Sequence, residues 1–332
     1  MRILVTGSAG FIGFSVAQAL LKRGDEVIGI DNFNEYYDPT LKVARNAILE
    51  KEKGFTLVRG DITDPKTLDN AFDALTSSSD KSQIINRKSQ IVTRVCHLAA
   101  QAGVRHSLDN PDIFLQDNVV GFNRIIEATR THKIGGLIYA STSAVYGDNK
   151  EQPFSESHPV DHPISIYGFT KKANELQAYV YHSVYGVRST GLRFFTVYGP
   201  WGRPDMALFL FTDAVMKGKT LPIFGHGKMQ RDFTYIDDIV SGVIAAIDRN
   251  DPYEIYNLGG GKTEELMDYV SAVEKACGKE GKKEFLPMQI GDVVSTSADI
   301  SKAQKMLGYK PKTRIEEGVK KFVDWYREYY GI

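Results

Sequence analysis

The sequence is short of several things. It holds two cysteines in 332 residues, Cys96 and Cys277. They form neither a disulfide framework nor a metal-ligand pattern, so no metal is expected. Cys96 lies in an apolar run and reads as a small buried hydrophobe. Neither sign of charge is in excess, with Lys+Arg and Asp+Glu both at 41. That removes any general attraction to nucleic acid or to an anionic membrane, and any anion must be bound locally. No apolar run reaches the roughly 18 residues that a spanning helix needs. A single charge, Arg2, precedes the first apolar run, where a secretory leader has a longer basic-then-apolar profile. The expectation is a soluble, reduced, cytoplasmic protein with no nucleic-acid or membrane partner. At 42% hydrophobic residues the chain can build one large core or two modest ones.

What is present begins at the first residues. Arg2-Ile3-Leu4-Val5-Thr6 reads as a buried strand. Gly7-Ser8-Ala9-Gly10-Phe11-Ile12-Gly13 follows, then a helical pattern from Phe14 to Arg23 that Gly24 caps. Glu26 to Ile30 reads as a second strand, ending at Asp31. Strand, glycine-rich turn, helix, strand and terminal acid together form a dinucleotide-binding signature, here spaced GxxGxxG. Gly7 serves the tight turn, Gly10 lets backbone amides approach a diphosphate, and Gly13 lets the helix pack on the strand. The helix N-terminus adds a positive field. Asp31 is suited to accept from a ribose 2′-hydroxyl and to repel a 2′-phosphate, which favours NAD over NADP.

Further strands are expected at 55–62, 91–98, 136–141 and 189–195, with helices at 66–75, 117–130 and from Tyr167 to about Tyr185. Ser77 to Gln90 is polar and serine-rich and reads as a loop insertion. Such alternation predicts an α/β fold, a Rossmann-like doubly wound parallel sheet with ligands at the carboxyl ends of its strands. Asp31, Asp61, Gln101 and Thr142 all fall at such ends. The sheet-forming part, 1–200, is expected to hold NAD. Residues 201–332 are expected to form a smaller mixed α/β lobe that binds substrate, with about 232–260 returning to the first part. That lobe includes helices at 207–217, at 264–277 and at 314–330, a helix that 230–238 leads into and that runs to about Asp248, a short extended stretch at 221–224 and a short strand at 255–258.

Tyr167 and Lys171 stand four apart in a helical run and share a face. An ammonium beside a phenol favours the phenolate, so Lys171 is expected to lower Tyr167 from its free value of about 10. Such a tyrosine is suited to take a proton from a substrate hydroxyl. In isolation the pair is also what any amphipathic surface helix carries; the glycine signature decides for chemistry.

The chain resembles the extended short-chain dehydrogenase/reductases, and within them the nucleotide-sugar 4-epimerases, above all the UDP-glucuronate 4-epimerase group. The marks are GSAGFIG (7–13), HLAAQAGVR (97–105), IYASTSAVYG (138–147), YGFTKKANE (167–175), FFTVYGPWGRPDM (194–206), GKMQRDFTYIDDIV (227–240) and PMQIGDV (287–293). Two departures are the length of 77–90 and Ile290, where the group usually has proline. The resemblance implies Tyr167 as acid/base, Lys171 on the nicotinamide ribose, and Thr142 sharing the proton path. It implies Asp61 and Ile62 beside the adenine, and Asn118, Ala99 and Gln101 along the cofactor cleft. Phe11, Ile12, Asn32, Leu98 and Ala100 join them as cofactor contacts. For the UDP half it implies Arg231 and Arg203 as candidates for the diphosphate and Phe224 beside the uracil. Arg105 and Asp292 are further substrate contacts. Followed directly by Asp232, Arg231 reads without the resemblance equally well as one half of a surface ion pair.

The reaction so implied is C4 epimerisation of a UDP-sugar through a 4-keto intermediate, with NAD retained. A 4-keto glucuronate is a β-keto acid prone to lose CO₂, and Thr142, Ser143 and Thr196 are expected to hold its carboxylate out of alignment. Epimerases of neutral sugars commonly have Asn in place of Thr196. Alternatives are a UDP-glucuronate decarboxylase, a UDP-glucose 4-epimerase and a non-catalytic NAD-sensing protein. A 4,6-dehydratase is disfavoured, because Ser143 and Ala144 stand where that group has Asp-Glu. The resemblance also implies a homodimer through helices near 112–130 and 167–185. Leu176, Tyr179, Val180 and Val184 form an apolar stripe that packing within one subunit would explain as well.

Overall fold

The computed structural model describes residues 1–77, 92–289 and 291–332. The insertion read at 77–90 lies outside them from residue 78 on, and so does Ile290. The chain begins with β1 (Arg2–Thr6), α1 (Phe11–Arg23), β2 (Glu26–Asp31), α2 (Thr40–Leu49), β3 (Phe55–Arg59), α3 (Pro65–Thr76) and β4 (Thr93–His97). Next come α4 (Val104–Asp109) and a continuous helical stretch of α5 (Pro111–Phe114), a π-helical turn (Leu115–Val120) and α6 (Gly121–Thr131). β5 (Leu137–Thr142), α7 (Ile166–Tyr185) and β6 (Ser189–Phe194) complete the first half. Then follow β7 (Thr196–Tyr198), α8 (Ala207–Lys217), β8 (Thr220–Ile223), β9 (Gln230–Arg231), β10 (Phe233–Tyr235), α9 (Ile236–Arg249) and β11 (Tyr253–Leu258). β12 (Glu264–Glu265), α10 (Leu266–Cys277), β13 (Lys282–Phe285), α11 (Ser301–Leu307) and α12 (Ile315–Tyr330) end the chain.

Seven strands form one parallel sheet in the order β11-β6-β5-β4-β1-β2-β3. Strand order reverses between β1 and β4, which opens a crevice at their carboxyl ends. The central strand is buried throughout, and its alternation sends Ile3 and Val5 to one core and Leu4 to the other. The second core is closed by α3, α6 and α7. The first lies under α1 and runs without a break into the C-terminal lobe, through Tyr198, Phe233, Tyr269 and Phe322. Short parallel or antiparallel pairs, β10-β7, β12-β9 and β13-β8, shape that lobe.

Local signals placed the main elements. Gly24 (φ 92) closes α1, and Asp64 caps α3 through Thr67 N at 3.0 Å with Pro65 in the first helical position. Ser165 caps α7 by accepting from Gly168 N at 3.0 Å. Two readings need correction. The helix expected at 117–130 starts at Pro111 and carries the π turn, because Asn118 is pulled into a network described below. The strand expected to run to Phe195 stops at Phe194, and the chain re-enters a separate pair at Thr196, where β7 meets β10. β11, within the stretch 232–260 expected to return to the first part, pairs with β6 and completes the main sheet. The helices α2, α4 and α11 and the strand β13 were not anticipated.

Candidate active site

A cleft of about 430 Å³ lies at the carboxyl ends of the sheet. Its floor is the glycine loop. Gly7 has φ 70, and a Cβ there would stand 2.9 Å from Ala99 N. A Cβ on Gly13 would stand 2.0 Å from Gly7 O. Loop, helix start and the 98–100 turn therefore touch backbone to backbone, a cradle that side chains would fill. Gly10, Phe11 and Ile12 line the same floor. Thr6 Oγ1 ties the parts together, accepting from Leu98 N and Ala99 N at 3.2 and 3.1 Å and pairing with His97 Nδ1 at 2.8 Å. Burial pushes His97 down to about 3, with the charge of Lys171 acting in the same direction, so the ring is neutral.

Two acids stand at strand ends on the cleft wall. Asp31 accepts from Ala9 N at 3.0 Å and from Phe33 N at 2.8 Å. Each carboxylate oxygen keeps a further lone pair for a ribose hydroxyl. Asp61 accepts from Thr63 N at 2.8 Å and from Asn32 Nδ2 at 2.7 Å. Against its burial, those bonds hold Asp61 below the usual carboxylate range. Ile62, Ala100 and Gln101 complete this end. Asn118 does not reach the wall. From the π turn it accepts from Gln101 N at 2.8 Å and donates to Gln101 O at 3.0 Å and to Thr170 Oγ1 at 3.1 Å. It positions Gln101, and the π turn is what aims it.

The other half of the cleft holds the catalytic candidates. Thr142 is the last residue of β5; its hydroxyl accepts from Ala144 N at 3.2 Å and acts on the nearby Tyr167 phenol to favour the phenolate. Tyr167 lies in the first turn of α7 and is fixed by Tyr167 N donating to Ser107 Oγ at 3.1 Å and by the edge of Phe114. Lys171, one turn on, is 1% exposed and faces the same cavity. The expected lowering of Tyr167 by Lys171 is overturned. Burial pushes the phenol up, opposed by the charge of Arg203 and the Thr142 hydrogen bond. Burial also pulls Lys171 down to about 8. The charge that acts on the phenol is that of Arg203, not Lys171, and desolvation, which helical spacing does not contain, outweighs it. Ser143 and Thr196 stand on the same wall.

At the mouth, Arg203 Nε donates to Asp205 Oδ1 at 2.9 Å and the guanidinium faces the cleft. Arg231 also faces it, anchored by donation to Gln230 O at 2.8 Å and Val294 O at 3.1 Å. Its neighbour Asp232 points elsewhere, into the amides of Gly261 and Ala298 at 3.1 Å, so the two do not form a surface pair. Asp292 lines the cleft and pairs with Arg105 at 2.9 Å. Arg105 and Phe224 are off the wall, the guanidinium lying over the ring at 5.2 Å. The sequence reading missed Lys42, Tyr36, Tyr37, Met206 and Asp117, all on the wall. Lys42 Nζ donates to Asn34 O at 2.6 Å, and burial pushes it down to about 8. A signal existed: Lys42 and Arg45 fall on the buried face of α2 with Leu41 and Leu49, the wrong place for solvated charges. Among the described residues no cluster of His, Cys, Asp and Glu fits a metal, and no helix is long and apolar enough to cross a membrane.

The model of the NAD-dependent epimerase/dehydratase family matches residues 3–259. UDP-glucuronate 4-epimerase 4 of Arabidopsis thaliana is 45% identical over 349 residues, which cover 100% of this chain and 76% of that protein. A UDP-glucuronic acid 4-epimerase from Bacillus cereus, solved with UDP-glucuronic acid and NAD, superposes with a TM-score of 0.90 at 36% identity, covering 99% of this chain and 100% of that one. A UDP-glucose 4-epimerase from Thermotoga maritima, solved with UDP-glucose, gives 0.87 at 30% identity, covering 99% and 100%.

Proposed function

The chain belongs to the NAD-dependent epimerase/dehydratase family, and from that premise we propose that it inverts C4 of a UDP-sugar, converting UDP-glucuronate and UDP-galacturonate into one another. One observation carries the reading: Thr142, Tyr167 and Lys171 share a single cleft with the glycine cradle, with the neutral hydroxyls of Ser143 and Thr196 on the same wall. The uronate bound in the Bacillus cereus neighbour supports the choice of sugar.

The cradle and the two strand-end acids fit NAD. Gly7 to Gly13 would take its diphosphate, Asp31 and Asn32 the adenosine ribose, and Asp61 and Ile62 the adenine. Leu98 to Gln101 would flank the dinucleotide, and Lys171 the nicotinamide ribose. When bound, NAD supplies the reversible two-electron oxidation at C4. Tyr167 takes the proton of the 4-hydroxyl and returns it, with the Thr142 hydroxyl as its hydrogen-bond partner. Arg203 and Thr142 oppose the burial that keeps the phenol protonated. Arg231, Asp292 and Arg203 grip the UDP half from the wall, with Arg105 behind Asp292 and Phe224 under Arg105 at the end where the base would lie, while the sugar turns to present its other face. Thr142, Ser143 and Thr196 hold the carboxylate by neutral hydrogen bonds, so that its carbon–carbon bond does not align with the ketone. Held reactants supply the proximity term.

Residues 1–200 hold the cofactor and 201–332 the nucleotide sugar, a division supported by β11 and α9 (within 232–260) returning to the main sheet and to α1. A second copy of the chain packs on the exposed stripe of α7, where Leu176, Tyr179, Val180 and Val184 are each more than half exposed. The reaction takes place in the cytoplasm.

The test is product analysis after incubating purified protein with UDP-glucuronate and no added NAD. UDP-galacturonate at unchanged mass is expected. A product lighter by CO₂ makes the protein a decarboxylase. Activity only on added NAD removes the claim of a retained cofactor. Turnover of UDP-glucose alone moves the substrate to neutral sugars.

A further inference from the structure

Arg45 is 0% exposed, and among the described residues no carboxylate pairs with it. A buried cation without a counter-ion is costly and needs a reason. Its guanidinium reaches in two directions. Nη1 donates to Ala9 O at 2.9 Å, inside the glycine loop, and to Tyr37 Oη at 3.0 Å. Nη2 donates to Trp201 O at 2.6 Å, in the loop between β7 and α8. Nε has no partner.

The loop that Arg45 grips has its own turns, Gly202 N donating to Gly199 O at 3.1 Å and Met206 N to Arg203 O at 3.2 Å, and carries one strained residue. Trp201 is left-handed, with φ 63, a conformation that costs a side-chain-bearing residue about 1–2 kcal/mol. Its ring is wedged between Phe14 of α1 at 5.7 Å and Trp325 of α12 at 5.2 Å. Two residues on, Arg203 faces the cleft. A second tie lies beside the first: Tyr36 Oη donates to Asp205 Oδ2 at 3.1 Å, and Asp205 is the partner of Arg203. Both ties come from the short segment after Asp31. Arg45 thus joins the glycine loop to the Arg203 loop from outside both, and Tyr36 adds a hold on the Arg203 loop alone.

We propose that Arg45 is a positioning residue that couples the cofactor cradle to the Arg203 loop, so that one guanidinium sets the seat of the diphosphate and the grip on the nucleotide sugar together. This rests on the reading of the cleft given above. A planar fork bridges two carbonyl groups, whereas a lysine is a point charge that serves one. Coupling through a shared element is reciprocal, so loosening it weakens sugar binding even though Arg45 is not on the cleft wall. A loosened sugar also escapes control at the keto stage. The bond from C5 to the carboxyl carbon then breaks, CO₂ leaves, and the electron pair becomes an enolate that takes a proton. A UDP-4-keto-pentose results, and the two electrons taken from C4 stay on the cofactor.

The experiment compares NAD-loaded wild type, Arg45→Gln, Arg45→Lys and Tyr36→Phe. It measures the Kd of UDP by calorimetry, KM and kcat for UDP-glucuronate, and the fraction of turnovers ending in keto-pentose. For Arg45→Gln, Kd and KM rise about tenfold and the keto-pentose fraction rises with them. Arg45→Lys does not restore them, and Tyr36→Phe shifts them in the same direction by less. Folded Arg45 variants with wild-type Kd, KM and product ratio overturn the proposal. Should the Arg45 variants fail to fold, an unchanged Tyr36→Phe overturns it as well. Wild type that ignores UDP-glucuronate ends the substrate reading instead, and UDP binding still reports the coupling.

Discussion

Arg193 grips Glu175 in a two-pronged ion pair, Nε and Nη2 each donating to one carboxylate oxygen at 2.8 Å, with both residues sealed from solvent. Glu175 lies one turn beyond Lys171 on α7. It also accepts from Ser141 Oγ at 2.7 Å, next to Thr142 on β5. Arg193 Nη1 reaches Tyr146 Oη at 3.0 Å, which donates to Asn257 Oδ1 at 2.7 Å. The pair therefore pins the helix carrying Tyr167 and Lys171 to β6, and the Ser141 bond to Glu175 pins it to β5, the strand that presents Thr142. Removing Glu175 leaves the Arg193 charge buried and unpaired, and removing Arg193 leaves Glu175 with only the more distant Lys172 at 3.8 Å. Glu175→Gln and Arg193→Met are each expected to lose about 3–5 kcal/mol in urea unfolding, and the double replacement with methionines less than their sum.

The buried ring of His97 makes stability depend on acid. Its folded pKa of about 3 lies below the ordinary 6.5, so the unfolded chain takes up a proton that the native state refuses. Stability contributed this way is present above pH 6.5 and is lost as pH falls from there towards 3. The slope is up to about 1.4 kcal/mol per pH unit. His97→Asn should flatten that limb of the stability curve while costing stability at neutral pH through the lost bond to Thr6. An unchanged acid limb would mean the ring is not the group that resists protonation.

Gly13→Ala is expected to damage the cradle. The new Cβ would meet Gly7 O at 2.0 Å, so loop and helix must separate, at about 1–3 kcal/mol as for other overpacked sites. The variant should lower Tm and retain less NAD through purification. Gly186→Ala is the control, because nothing lies within 4 Å of its Cβ and only its φ of 69 is strained. It should lose stability but keep its NAD.

Charge on the α7 stripe should separate the copies. Val180→Asp with Leu176→Asp places two carboxylates on a face that is apolar and exposed within one chain. A wild-type dimer and a monomeric variant of unchanged Tm are expected by light scattering. A monomeric wild type would remove the dimer, and a variant that unfolds would show that the stripe packs within its own subunit.

The folded parts that were readable in advance are those whose causes are local. Strand, glycine turn, helix and acid at 2–31 follow from period, φ requirements and caps written within a few residues. So does the shared face of Tyr167 and Lys171. By itself the sequence determined the alternation that builds the sheet, the glycine turn and the common face of Tyr167 and Lys171. Only the tertiary structure decided that Arg45 joins Ala9 to Trp201 across the chain. It alone showed that Asn118 bonds to Gln101 and does not line the cleft, and that β6 is the strand on which β11 pairs. The pKa of Tyr167 shows the difference. Helical spacing sets which charge is near, whereas the depth of burial, made by every element packed around the cleft, sets how much desolvation opposes it. Spacing is a property of a segment, and desolvation is a property of the whole fold.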